Sequence, residues 1–256
     1  MDTPRSTRST ARSALGFALL FLLYQSAEGI GDRMLHSFSA QAGLMLACVL
    51  AAWPVSRWLG YRGLEAFALP MRGRDLIWLV PLLVLAFGLK GAALQAGLAL
   101  GIYQPDPAGS ASGATLAAAL PMLLLSTFVP SIAEDILTRG FPYRAAGVHW
   151  RRGLAFVATS SLLYVLNHLY RLGLGPMEWL MLLVYGLAYA SALWRTGSLW
   201  AAVGLHWGWN LGNAALAVAM PTSIANVDGG RLLSMAAHLL MLACVLIATR
   251  RVAQAR

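Results

Sequence analysis

Charge is what this chain has least of. Only 11% of its 256 residues are Asp, Glu, Lys or Arg, against roughly 25% in a soluble domain. That scarcity excludes a water-soluble globular fold. With 59% hydrophobic residues and a mean hydropathy of +0.65, what is left is a polytopic membrane protein. Lysine is nearly missing: Lys90 stands alone beside 18 arginines. The net charge of +9 could suggest a nucleic-acid partner. The arginines, however, are spread over loops flanking apolar runs, which fits orientation in a lipid bilayer and no nucleic-acid role. Cysteine is scarce as well. Cys48 and Cys244 both lie in apolar stretches, without disulfide or metal spacing, and read as small packing residues. No internal repeat is visible, which argues against a small transporter, although Lys90 in mid-span would suit one. The Ala-, Leu- and Arg-rich usage points to a GC-rich bacterial genome and so to a bacterial inner (cytoplasmic) membrane.

What is present is a series of long apolar runs. They place eight helical spans at about 14–30, 39–56, 76–100, 115–134, 154–170, 177–194, 199–219 and 232–249, each close to the ~20 residues that cross a bilayer. The predicted fold is all-α, one transmembrane domain over 1–256. Fifteen arginines fall on one side: Arg5, Arg8 and Arg12; Arg57, Arg62, Arg72 and Arg74; Arg139, Arg144, Arg151 and Arg152; Arg195; and Arg250, Arg251 and Arg256. Only Arg33, Arg171 and Arg231 fall on the other. Positive residues stay inside, so both termini are expected in the cytoplasm, with an even number of spans. The apolar core Ala14 to Tyr24 is followed by no good small-x-small cleavage site, since Gln25 and Glu28 interrupt, so the first span reads as uncleaved. Breaks fall at Gln104–Ser110, Gly173–Pro176 and Val227–Gly230. The stretch Arg57–Asp75 alternates apolar residues with charges and is expected to lie along the cytoplasmic interface.

Three polar patterns interrupt the apolar runs of the second half. They are Glu134-Asp135-x-x-x-Arg139, Tyr164-x-x-x-His168 and His206-x-x-x-Asn210. Ionisable groups in a span are costly and by default mark function. Residues four apart share a helix face, so Arg139 is expected to hold Asp135 and leave Glu134 free. A carboxylate in apolar surroundings suits a general base. Glu134 with a histidine could deprotonate a water, and the other histidine with Asn210 could donate to an oxyanion. Each piece also has a plainer reading. An acid–arginine pair at a cytoplasmic helix end is usually structural, His168 could sit at the outer interface, and His206 and Asn210 could be interhelical glue worth only ~1 kcal/mol. Depth poses a further problem. At the helical rise, His168 lies ~24 Å beyond Arg152, His206 ~16 Å beyond Arg195, and Glu134 ~15 Å from Arg144. The three meet only if the fifth helix tilts strongly or starts after Arg152.

Together the patterns resemble the CPBP family of intramembrane proteases, also called Abi or CAAX-type proteases. The likeness covers roughly residues 115–215. It includes Arg139-Gly140-Phe141 after the acids and Thr196-Gly197-Ser198-Leu199-Trp200 before the last motif. Gly63 to Arg72 resembles the family's linker only faintly. The resemblance implies a catalytic core with Glu134 and His168 activating water and His206 with Asn210 forming the oxyanion site. It implies a metal-free reaction on a membrane-associated peptide or protein substrate, and the oligomeric state stays open. A glutamate and two histidines could hold a divalent metal such as zinc, which also stays open, although the His-Glu-x-x-His spacing is missing. Two positions depart from the pattern: Asp135 stands where the family has glutamate, and Tyr164 where it has phenylalanine. The first supports an alternative reading, a non-catalytic scaffold or bacteriocin-immunity-type protein of the same fold.

Overall fold

The computed structural model describes residues 7–71, 73–106, 109, 111–146 and 153–250. Arg5, Arg72, Arg151, Arg152, Arg251 and Arg256 lie outside the described residues, as do Pro107, Ala108 and Ser110 of the first predicted break. So do the side chains of Arg8, Arg74 and Asp75.

Among the described residues, eight long helices carry the fold. They are α1 (Thr7–Ser26, continued as a π-helix Ala27–Met34), α2 (Phe38–Trp58), α3 (Leu79–Ala99) and α4 (Gly113–Asp135, continued as a π-helix Ile136–Ala145). Then come α5 (Gly153–Asn167), α6 (Pro176–Thr196), α7 (Leu199–Ala219) and α8 (Val227–Ala248). Two three-residue strands, β1 (Tyr103–Pro105) and β2 (Thr222–Ile224), pair antiparallel with Tyr103 opposite Ile224. The protein is an all-α polytopic membrane protein, as its composition requires. Leu22, Leu50, Val84, Leu125, Leu162 and Ile247 are each more than half exposed, a surface that water would not tolerate over so many helices.

Among the described residues, six helical segments are long and apolar enough to cross a membrane. The two expected spans missing from that set are α5 and α7, and both carry site residues. The 15 residues of α5 rise roughly 22 Å, short of a ~30 Å hydrocarbon core. Helix α7 is diluted by His206, Trp207, Trp209, Asn210 and Asn213, and it is enclosed by protein: every residue from Leu199 to Leu205 is buried. The polar helix is tolerated because its neighbours, and not lipid, surround it.

Local chemistry fixes the helix ends. Ser112 Oγ accepts the Thr115 amide at 3.1 Å and Asn226 Oδ1 accepts the Gly229 amide at 2.9 Å, satisfying first-turn donors of α4 and α8. Helix α6 closes on Gly197, whose φ of +71° is the usual left-handed cap. Helix α7 approaches α3 through Gly204, Gly208 and Gly212, a small-xxx-small stripe of the kind that lets membrane helices touch backbone to backbone. A Cβ at Gly204 would stand 2.6 Å from the Leu79 carbonyl oxygen. Gly204→Leu is therefore expected to cost at least ~1–3 kcal/mol by overpacking, read as a lowered unfolding midpoint in detergent, while Gly43→Leu, with open space around it, leaves the midpoint unchanged.

The helix ends sort into two groups. At one, Ser13 Oγ donates to the Ala145 carbonyl at 3.5 Å, Tyr61 Oη to the Arg144 carbonyl at 3.3 Å, and Arg195 Nε to Thr249 Oγ1 at 3.0 Å. At the other, Arg33 Nη2 donates to the Tyr170 carbonyl at 3.3 Å, and Arg171 and Arg231 both pair with Glu178. Arg144 and Arg195 thus lie at one group of ends and Arg33, Arg171 and Arg231 at the other, and one arginine of the charge count needs correction. Arg139, counted as a loop residue, is fully buried inside α4's continuation.

A second correction concerns the stretch 57–75. Ala66, Phe67, Ala68 and Leu69 are at most 1% exposed, so this segment plugs into the protein and does not lie along the interface. Its backbone receives α7: the Leu199 amide donates to the Ala68 carbonyl at 2.8 Å, and Trp200 Nε1 to the Pro70 carbonyl at 3.1 Å.

Candidate active site

The acid pair does not sit at a helix end. Glu134 and Asp135 lie inside a continuous helix from Gly113 to Ala145, where the α-helix widens into a π-helix. Such widenings occur frequently at functional sites. Pro142 lies within the widened stretch and has no amide hydrogen to offer the carbonyl four residues back. That carbonyl, Thr138's, accepts Ser160 Oγ of α5 at 2.8 Å instead. The proline thereby leaves free the acceptor that docks α5 beside the acids.

Glu134 is not free, as the helix-face argument expected. Its Oε1 accepts Asn167 Nδ2 at 3.0 Å. His168 Nδ1 stands 3.4 Å from the same oxygen, and His206 Nε2 stands 3.6 Å from Oε2. The carboxylate is 4% exposed, so two helices other than its own supply its surroundings. Asp135 pairs with Arg139 as expected. Its Oδ1 accepts Arg139 Nη1 and lies 3.3 Å from His206 Nδ1. Arg139 is sandwiched by aromatic faces, with its guanidinium carbon 4.5 Å from the Tyr164 ring centre and 4.9 Å from that of Tyr189. These cation–π contacts strengthen where water is excluded. The fit is incomplete: among the described residues, Asp135 Oδ2 and Arg139 Nε and Nη2 are buried without a hydrogen-bond partner.

His168 and Tyr164 meet as their spacing expects, ring edge to ring face at 4.7 Å between centres. His168 lies one residue past α5, at φ −85° and ψ 53°, with Nδ1 2.8 Å from the Tyr164 carbonyl. A carbonyl only accepts, so Nδ1 carries the proton and Nε2 is the basic nitrogen of the neutral ring. His206 stacks on Tyr189 at 4.9 Å, with 22° between the planes. Asn210 is half-buried and joins one turn earlier on α4, donating Nδ2 to Ser131 Oγ at 3.0 Å. Helix α5 starts at Gly153 and His168 sits one residue past its end, where it meets Glu134 beside His206. Glu134, Asp135, Arg139, His168 and His206 are thus brought together, and Asn210 borders them through Ser131. Among the described residues, no three His, Cys, Asp or Glu side chains are placed as a ligand set for a metal ion.

Several participants escape a motif reading. Asn167 precedes the predicted histidine but belongs to no spaced pair. His238 is fully buried on α8. Its Nδ1 donates to the Ser234 carbonyl at 2.8 Å, which leaves Nε2 to accept the Tyr189 hydroxyl at 2.7 Å. It therefore fixes the ring on which His206 stacks. A lone histidine in the last apolar run was the available signal. Lys90 lines a cavity of about 330 Å³ with Tyr103, Asn213 and Thr222, and its ammonium stands 4.9 Å from the Trp209 ring centre.

The family model of the Rce1-like proteins, type II CAAX prenyl endopeptidases, matches residues 116–212. Comparison with curated proteins and with solved structures gives no match. The matched segment runs from α4 to α7 and contains all six residues of the three polar patterns, so over residues 116–212 this membrane protein is similar to the Rce1-like type II CAAX prenyl endopeptidases.

Proposed function

We propose that the chain is an intramembrane endopeptidase that hydrolyses a peptide bond of a membrane-associated substrate with a water activated by Glu134. The observation that carries this reading is the buried Glu134 carboxylate, within 3.4–3.6 Å of a histidine on each side. Glu134 accepts a proton from water as the oxygen attacks the scissile carbonyl carbon, with His168 holding the water. The carbonyl oxygen becomes an oxyanion, to which His206 and Asn210 donate. With Nδ1–H given to Asp135, His206 can donate from Nε2 only as the doubly protonated ring. Collapse breaks the C–N bond, and the amine leaves with the proton taken by Glu134. No bond to the enzyme forms. Residues 115–215 are the catalytic core of a single domain over 1–256. The substrate approaches from the bilayer through an apolar cavity of about 640 Å³ between α1, α2 and α4. That cavity is lined by Leu46, Met122 and Leu125 and ends at Val129 and Pro130, one turn before Glu134.

A non-catalytic scaffold is the second reading. It is favoured by one observation, the shortened acid at 135 with unpartnered polar atoms beside it. A fluorogenic peptide ending in a prenylated CAAX sequence, offered to the pure protein in detergent with its unprenylated twin, separates the two. Cleavage at one bond, placed by mass spectrometry, is expected. Binding without cleavage of either peptide supports the scaffold.

The orientation proposed is that of a bacterial inner-membrane protein with both termini in the cytoplasm, because the arginine-rich helix ends belong inside. Reporter fusions at Val227 are expected to read as exported and fusions at Gly147, outside the described residues, as cytoplasmic. A cytoplasmic signal at Val227 reverses the assignment.

A further inference from the structure

We infer that Gln25 and Asn167 are a positioning pair for the Glu134 carboxylate, so that the first helix, outside the family segment, completes the active site. The inference rests on the role given to Glu134 above. Gln25 lies in α1 and is 8% exposed. Its Nε2 donates to the Asn167 main-chain oxygen at 2.8 Å and to Asn167 Oδ1 at 3.1 Å. Two oxygens converge on that nitrogen, so the Gln25 amide has one tolerable orientation; turned over, it would set three oxygens against each other. With Oδ1 thus held, the Asn167 amide must present Nδ2 to the other side, where it meets Glu134 Oε1 at 3.0 Å. The glutamate's two oxygens are thereby distinguished: Oε1 faces Asn167 and His168, and Oε2 faces His206.

Two further observations set this apart from ordinary helix glue. Among the described residues, the arrangement leaves Gln25 Oε1 buried without a hydrogen-bond partner, a cost that a purely structural contact has no reason to retain. Helix α1 also holds the whole corner that follows Asn167. Arg33 donates to the Tyr170 carbonyl at 3.3 Å and stacks 4.4 Å from that ring's centre, while a Cβ on Gly29 would strike the Tyr170 hydroxyl. The corner containing His168 is therefore set by α1, although the peptide chain reaches it from α5. A misplacement of about 1 Å at a reacting group can cost ~100-fold in rate, so such a clamp is worth having.

The test uses the full-length protein in lipid vesicles and needs no substrate for its first arm. The infrared carboxylate stretch of Glu134 is assigned by subtraction of Glu134→Gln. It is expected to shift in Asn167→Ala and in Gln25→Met, and to stay put in Gln104→Met, whose side chain is exposed on β1. The second arm measures cleavage of the prenylated CAAX peptide. Asn167→Ala is expected to lower kcat by ~10- to 100-fold with KM nearly unchanged. Gln25→Met, acting through Asn167, is expected to add no further loss in the double variant, the signature of coupled sites. Should Asn167→Ala not fold, Gln25→Met carries both arms. An unmoved band in folded Gln25→Met overturns the inference, as do losses that multiply in the double variant. If the wild-type protein leaves the peptide intact, it is the protease reading that fails, and the infrared arm still decides the pair.

Discussion

Glu134→Gln is expected to lower cleavage of the prenylated CAAX peptide by at least ~100-fold, the ordinary scale for loss of a general base, or ~2.7 kcal/mol of barrier. The substitution is conservative in shape and drastic in chemistry. A glutamine oxygen still accepts Asn167 Nδ2, which stands 3.0 Å from Oε1. The amide nitrogen then faces His206 Nε2 across the 3.6 Å gap and can donate to it when that ring is neutral. The buried network therefore survives, and the unfolding midpoint and helical content should match the parent. What is removed is the carboxylate that takes a proton from water, and the groups beside it already have other roles. Asp135 is committed to Arg139 and His206 through Oδ1. His168 spends its Nδ1 proton on the Tyr164 carbonyl. A folded Glu134→Gln protein that still turns over would remove Glu134 from the role of base and with it the mechanism.

The parts of this site that were legible in the sequence are those whose signal is local. Acids, histidines and an asparagine inside apolar runs stand out because hydrocarbon makes them expensive, and spacings of four identify shared faces. Asp135 with Arg139 is the clean success of that rule. It failed at Glu134 because the facing partners come from α5 and α7, 33 to 72 residues along the chain. It held at His168, whose ring meets Tyr164 at 4.7 Å although the helix stops one residue early. Burial of Phe67 and Leu69 was misread for a different reason. An amphipathic segment hides its apolar side equally well in a membrane interface and in a protein interior, and only tertiary contact decides between them. The roles of His238 and Gln25 were illegible because each acts through a second residue, Tyr189 and Asn167, with no fixed sequence interval to reveal the link.

The Asp135 series should separate an enzyme with a shortened acid from a protein that has lost its chemistry. Asp135→Asn leaves Arg139, which is fully buried, without a counter-charge. Breaking a buried pair from one side costs ~3–5 kcal/mol, and the two aromatic faces over the guanidinium recover only part of it. His206 meanwhile loses the carboxylate 3.3 Å from its Nδ1, so that its tautomer is no longer set. A lowered unfolding midpoint and a loss of cleavage larger than that of any other variant at 135 are expected together. Asp135→Glu is the opposite case. Arg139 has two buried nitrogens, Nε and Nη2, that find no acceptor, and a longer acid can reach toward them while keeping Nη1. The pair therefore tolerates either length, and cleavage should change by less than about tenfold, or ~1.4 kcal/mol, with stability unchanged or raised. Should the parent chain be inert and Asp135→Glu cleave the peptide, the missing methylene was the defect. The native protein would then be a binding scaffold built on the protease fold, and the unpartnered atoms beside Asp135 would mark where the catalytic geometry was lost.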